Sequence, residues 1–233
     1  VKADPLKKIP LFTRLSEPER RKIASEVVET SYKKGEYIFR EGEPADTFHI
    51  LKSGTVKCVK TSTEGKEVTL KVLMPGDLFC CDAAVLDGAF HPGCAQPLDD
   101  VQILALSKSA YFDMLRRNPD AALEVIQYLG KRLYEAQETN KVLALNQADQ
   151  RLAALFVNLA SRVGVQEGTG IRLPIRLTRQ DLANMVGITV ETAIRIMSRF
   201  KRQRLVSGTA RSLVIRDLTR LQHLADPSPS AKG

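Results

Sequence analysis

Residues 178–202 read TRQDLANMVGITVETAIRIMSRFKR. Thr178 followed three positions later by Asp181 is a capping box with Asp in place of the usual Glu, so a helix starts there. Gly187 stops it, because glycine supplies the positive φ that a tight turn needs. Thr189 then caps a second helix that runs to about Arg204. Leu182, Ala183, Val186, Ile188, Ala193 and Ile196 place small and apolar side chains where the two helices cross, with Ala183 at the close approach. A plain helical hairpin satisfies the same pattern. Two features favour a helix-turn-helix. The second helix is basic, and Leu205 to Gly208 and Leu213 to Ile215 flank a short turn containing Arg211, which reads as a β-hairpin wing.

The first turns of a recognition helix enter the major groove, and here they carry Val190, Glu191, Ile194 and Arg195 on about one face. Arg195 can donate two hydrogen bonds to guanine O6 and N7, Glu191 can accept from cytosine N4, and Val190 and Ile194 suit a thymine methyl. An ion pair between Glu191 and Arg195, four residues apart, is compatible with that role. Thr189, Arg179, Arg199, Lys201, Arg202 and Arg211, with Arg204, are assigned to phosphates, where they set affinity and salt dependence rather than sequence choice. The charge distribution agrees. The formal net charge is +8 and the pI about 9.4. Between Arg176 and His223 ten Arg and Lys stand against three acidic residues, so nearly all the excess lies in the last quarter. A non-DNA ligand-binding module whose terminal helices contact protein remains the alternative.

Around this core motif, Asp149 to Val163 reads as a helix, Gly164 to Gly170 as a polar connector and Ile171 to Leu177 as a strand. Upstream, Asn118-Pro119 opens a long helix with an N-cap and a Pro at its first position. Ala122, Ile126, Leu129, Leu133, Ala136, Asn140 and Leu143 then repeat every seven residues, which predicts a helical partner. One amphipathic face packed on its own domain is the competing reading. Asn140 favours a parallel, in-register homodimer, since a core Asn hydrogen-bonds best to its own copy. From Ser31 to Leu106 short β-type runs alternate with turn glycines, most of them eleven or twelve residues apart, which predicts an antiparallel roll or barrel. A helix over about 17–29 precedes it, capped at Ser16, and a brief helix from Ala110 to Arg117 comes after it. Asp226 to Gly233 is too rich in Pro and Ser to hold a fold and is expected to be a loose tail.

No run of eighteen apolar residues and no signal-peptide core at Val1-Lys-Ala-Asp are found, so a cytoplasmic protein without membrane spans is expected. Cys58, Cys80, Cys81 and Cys94 are too few for a disulfide framework and read as thiols. His49, His91 and His223 have no metal-ligand spacing, and no P-loop, zinc-protease or nucleophile-elbow pattern occurs. The chain is therefore not expected to be an enzyme.

Roll, long helix and winged helix-turn-helix in that order resemble the CRP/FNR family of bacterial transcription regulators over about residues 9–225. Stretches similar to its FNR branch are Gly76-Asp77-Leu78, Asp82-Ala83, His91-Pro92, Ala95-Gln96, Arg151-Leu152-Ala153-Ala154, and above all Thr189-Val190-Glu191-Thr192 with Arg195 and Arg199-Phe200. The resemblance implies an α+β fold: an N-terminal antiparallel β-roll of the cyclic-nucleotide-binding jelly-roll type, a long dimerisation helix and a C-terminal winged helix-turn-helix. It divides the chain into an effector domain (1–117), a dimerisation helix (118–148), a DNA-binding domain (149–225) and a flexible tail (226–233). It further implies a homodimer on a palindromic promoter site, an effector in the roll, contact with RNA polymerase, and base reading by Glu191 and Arg195. Ile194 stands where the FNR branch has a base-contacting Ser.

Departures concern the signal. Cyclic-nucleotide binders carry a ribose-binding Glu and a phosphate-binding Arg where this chain has Cys81 and Gly93-Cys94-Ala95, and without the Arg cyclic AMP loses its charge-assisted partner. The FNR branch carries an N-terminal cysteine cluster, and no cysteine precedes Cys58. Gly76-Asp77-Leu78-Phe79-Cys80 is similar to the segment of haem-binding carbon monoxide sensors in which the Cys is an axial ligand. Their nearby His is absent, with His91 as a substitute. Haem, a thiol switch using Cys80, Cys81 and Cys94, an unrecognised small ligand, and constitutive activity with the cysteines as core packing all remain open, so no cofactor is assigned.

Overall fold

In a computed structural model of the chain, the described residues are Leu6, Ile9, 12–209 and 212–226, with the backbone alone described for Cys81 and Asp82. The elements in the first part are α1 (Glu17–Glu26), β1 (Val28–Tyr32), β2 (Thr47–Ser53), β3 (Val56–Thr61), β4 (Glu67–Leu73), β5 (Leu78–Phe79), α2 (Cys81–Ala84), β6 (Cys94–Pro97), β7 (Val101–Ser107) and α3 (Lys108–Arg117). After them come α4 (Pro119–Leu145), α5 (Ala148–Val163), β8 (Val165–Glu167), β9 (Gly170–Leu173), α6 (Arg179–Val186), α7 (Val190–Arg202), β10 (Val206–Thr209), β11 (Ser212–Ile215) and α8 (Leu218–Ala225). They form two compact units, one of Val1–Thr61 and Lys71–Ala136, the other of Ser62–Leu70 and Gln137–Gly233.

The first unit is the expected antiparallel roll. It holds a sheet of strand order β1-β7-β2-β5 and the antiparallel pair of β3 and β6. Phe48, His49, Ile50 and Leu51 on β2 are all buried, a continuous run rather than an alternation, because both faces of this strand are covered. On one face Phe48 stacks on Tyr111 of α3 at 3.7 Å. On the other His49 lies 5.3 Å from Phe79 and 5.5 Å from Phe39, centroid to centroid. The N-terminal residues Leu6, Ile9, Phe12, Leu15 and Ile23 join the same core.

Two local expectations change here. The first helix ends at Glu26 rather than 29, because Val28 to Tyr32 pair residue by residue with Ala105 to Val101. Val28, Thr30 and Tyr32, β-branched or aromatic and paired along a ladder, outweigh the helical spacing of Val27 and Val28. Asn118 does not cap α4 with its side chain. Its Nδ2 donates to the Met114 carbonyl at 2.9 Å, closing the end of α3, and its own carbonyl accepts the first turn of α4 from Ala122 at 3.1 Å.

The long helix has two apolar faces. Ala121 and Val125 are buried, and the Tyr128 hydroxyl donates to the Leu78 carbonyl at 2.8 Å and accepts from the Leu78 N–H at 3.1 Å. The heptad positions point elsewhere. Ala122 is half-buried, while Ile126, Leu129, Leu133, Ala136, Asn140 and Leu143 are exposed, Ile126 and Leu133 to 64% and 62%.

In the second unit, α5 packs on α6 and α8, and Phe156 meets Phe200 of α7 edge-on with centroids 6.5 Å apart. The expected connector 164–170 is instead a hairpin, β8 pairing with β9 around Gly168 at φ 60°. The strand expected over 171–177 stops at Leu173, since Pro174 has no N–H for the ladder. β11 joins β9, giving the order β10-β11-β9-β8. Helix α8, capped by Asp217 and burying Leu221, has no counterpart among the sequence expectations. Of the expected tail only Asp226 lies within the described residues. No helix among them is long and apolar enough to cross a membrane.

Candidate nucleic-acid interface

The helix-turn-helix is built by its caps. The Thr178 hydroxyl accepts from the Asp181 N–H at 3.1 Å while the Asp181 carboxylate accepts from the Thr178 N–H at 2.9 Å, the expected capping box. Gly187 ends α6 at φ 65°, in the left-handed region that a side chain disfavours. The Thr189 hydroxyl accepts from the Thr192 N–H at 3.3 Å and starts α7 two residues past the turn. That fixed start decides which residues of α7 face inward.

Ala193, Ile196, Met197 and Phe200 are buried. Glu191, Ile194, Arg195, Ser198, Lys201 and Arg202 are exposed, and Val190 is half-buried. The four residues assigned to base reading therefore share the outward side of the first two turns. Ile194 is 48% exposed. Among the described residues Glu191 and Arg195 form no ion pair with each other, so both charged groups face outward.

The residues assigned to phosphates divide. Arg202 is exposed at the end of α7. Arg199 donates to the Asp149 carboxylate at 2.6 Å, and Lys201 donates to the Gly208 carbonyl at 2.6 Å, tying α7 to the wing. Arg179 opens α6 with its guanidinium partly buried, and the lost hydration lowers its pKa. Arg204 is exposed and adopts φ 57°, ending the helix in a left-handed turn. Arg211 lies outside the described residues. The wing depends on Gly208, at φ 90°, where a Cβ would stand 1.9 Å from the Ser212 carbonyl oxygen.

A feature with no signal in the sequence lies beside α7: an open cleft of about 540 Å³ between its outer face and the start of α5, lined by Gln147, Asp149, Arg195, Ser198, Arg199 and Arg202 among others. Asp149 and Arg199 are fifty positions apart, so no local pattern announces their contact. Only the packing of α5 against the helix-turn-helix creates it.

In the roll, Cys80 and His91, two of the residues considered for sensing, are brought together. The Cys80 Sγ stands 3.1 Å from His91 Nδ1, both groups are buried, and the His91 ring stacks on Phe39 at 3.7 Å. His49 lies in the same aromatic nest, its pKa lowered to about 4 by burial and by the charge His91 would carry. Cys94 is separate, accepting the Glu41 N–H at its sulfur, 3.3 Å away. Cys58, Cys80 and Cys94 are free thiols, and the Cys81 side chain lies outside the described part of the structure. Among the described residues no group of three or more His, Cys, Asp and Glu is placed to hold a metal ion.

Comparison with known proteins agrees with this architecture part by part. Residues 29–118 match the cyclic nucleotide-binding domain family and residues 150–224 the Crp-like helix-turn-helix domain family. A protein named cyclic AMP receptor protein from Thermus thermophilus is 30% identical over 171 residues, covering 73% of this chain and 76% of the relative. Among solved structures, FixK2 from Bradyrhizobium japonicum superposes with a TM-score of 0.76 at 24% identity, over 85% of this chain and 96% of its own. A CooA variant from Carboxydothermus hydrogenoformans gives 0.76 at 25%, over 94% and 96%. The two domain matches in this order, with a relative 30% identical over most of the chain, make this chain a member of the CRP/FNR family of DNA-binding transcription regulators, and not an enzyme.

Proposed function

We propose that this regulator works in the cytoplasm as a homodimer on a palindromic duplex, with α7 in the major groove of each half-site and RNA polymerase as its further partner. The observation that carries the reading is the division of α7. Its inward face holds only apolar residues, and its outward face presents Glu191, Ile194 and Arg195 within two turns of the N-terminus. Arg195 donates to a guanine and Glu191 accepts from a cytosine amino group, so each half-site carries a G·C pair, while Val190 and Ile194 meet thymine methyls. Thr189, Arg179, Arg202, Lys201, Arg199 and Arg211 attend the backbone. The exposed heptad face of α4 supports the dimer, since an apolar stripe on a seven-residue repeat matches a second helix.

For the effector, Cys81 and Gly93-Cys94-Ala95 offer no cation to a cyclic nucleotide phosphate, and cyclic AMP is not the ligand proposed. Haem is not proposed either: the Cys80 thiol that would hold it is buried and in hydrogen-bond contact with His91. The test is selection of bound duplexes from a random pool. A palindrome with one G·C pair per half-site is expected, and Glu191→Ala and Arg195→Ala should each relax the preference at that pair, a loss of about 1–3 kcal/mol of discrimination. If both variants select the same sequence as the unsubstituted protein, base reading by α7 is wrong.

A further inference from the structure

Among the described residues Asp149 is the only acidic one lining the cleft beside α7, whose other charged residues are Arg195, Arg199 and Arg202. It stands in the first turn of α5, where the free N–H groups and the helix dipole favour an anion. Its carboxylate takes the hydrogen bond of Arg199 at 2.6 Å. Neither side chain is shut away: Asp149 is 24% and Arg199 42% exposed, so the pair lies on the cleft wall where a polyanion approaching α7 arrives. To a guanidinium, a phosphate and a carboxylate are equivalent partners, each offering a pair of charged oxygens to its two parallel N–H groups.

We propose that Asp149 is an internal competitor for the DNA backbone, occupying Arg199 in the free protein and opposing the phosphate that would otherwise take it. This role presupposes that α7 is the recognition helix, and it is distinct from base reading. Glu191 and Arg195 choose the sequence, while Asp149 lowers the sequence-independent part of the affinity, which depends on phosphates neutralised and counterions released. Arg199 is then a conditional phosphate contact, whereas the exposed Arg202 is a permanent one.

The test measures binding to the selected palindrome and to a random duplex across salt concentrations, for the unsubstituted protein, Asp149→Asn, Arg199→Gln and the double variant. Asp149→Asn should tighten binding to both duplexes several-fold near about 0.15 M salt. It should also steepen the dependence of log K on log salt by about one per half-site, about two per dimer, with the selected sequence unchanged. In the Arg199→Gln background the same substitution should have no such effect, because the cation under competition is gone. If Asp149 is instead a strut that positions α7, Asp149→Asn weakens binding to the palindrome and leaves the salt slope alone, which overturns the proposal whatever the melting temperature does. Tightening that persists without Arg199 overturns it as well. Failure of the unsubstituted protein to bind any duplex would overturn the function proposed above, and the role of Asp149 with it.

Discussion

His49 shows how one side chain couples the roll to pH. It sits between Phe39 and Phe79, its Nδ1 buried without a hydrogen-bond partner, and burial with the neighbouring His91 lowers its pKa to about 4 from 6.5. The folded protein therefore holds it neutral while the unfolded chain protonates near 6.5. In the window between the two values the unfolded state binds more protons, so the contribution to stability is complete above about 6.5 and falls as the pH drops toward 4. The difference amounts to about 3 kcal/mol in all. Urea unfolding at about pH 7, 5.5 and 4.5 should show His49→Phe losing less stability over this range than the unsubstituted protein. Equal losses would mean that His49 does not titrate this way. Nothing in the sequence distinguishes His49 from a surface histidine except its place in an apolar run. By contrast, Thr178, Asp181, Gly187 and Thr189 are legible as caps and turn from their order alone, because capping is a contact between residues two or three positions apart.

Among the elements, α4 carries two messages in one helix. Residues 121, 125 and 128 pack on the roll, while the side chains of the seven-residue repeat from Ile126 to Leu143 are exposed. The repeat is easily found in the sequence, since its spacing is regular. The inner contact is not, because Tyr128 bonds to Leu78 fifty residues earlier. Leu133→Asp should convert the proposed dimer to a monomer at micromolar concentration in analytical ultracentrifugation. The unfolding free energy of the monomer should stay within about 0.5 kcal/mol, as for other exposed substitutions. A Leu133→Asp protein that sediments as a dimer would place the interface elsewhere. Short elements are harder to read. The hairpin of β8 and β9 rests on β11, and without that neighbour Val165 to Glu167 look like any polar connector.

Across the whole chain, charge is as unevenly distributed as structure. Ten of the 35 basic residues lie between Arg176 and His223, with only three acidic ones. Duplex affinity should therefore fall steeply with salt. With six to ten phosphates contacted by a dimer, it falls by roughly 10³–10⁵ between about 50 and 200 mM, as titration at several salt concentrations will show. A flat response would remove the backbone from the interface. The α+β order of roll, long helix and winged helix-turn-helix can be read from residue order alone, along with the face of α7 that turns outward. Both depend on hydrophobic period, caps and turn residues, all of them short-range. The partners of buried and bridging groups cannot be read that way. Cys80 meets His91 across eleven positions and Arg199 meets Asp149 across fifty. Such pairs form when separate elements pack together, and a pattern confined to neighbouring residues carries no record of them.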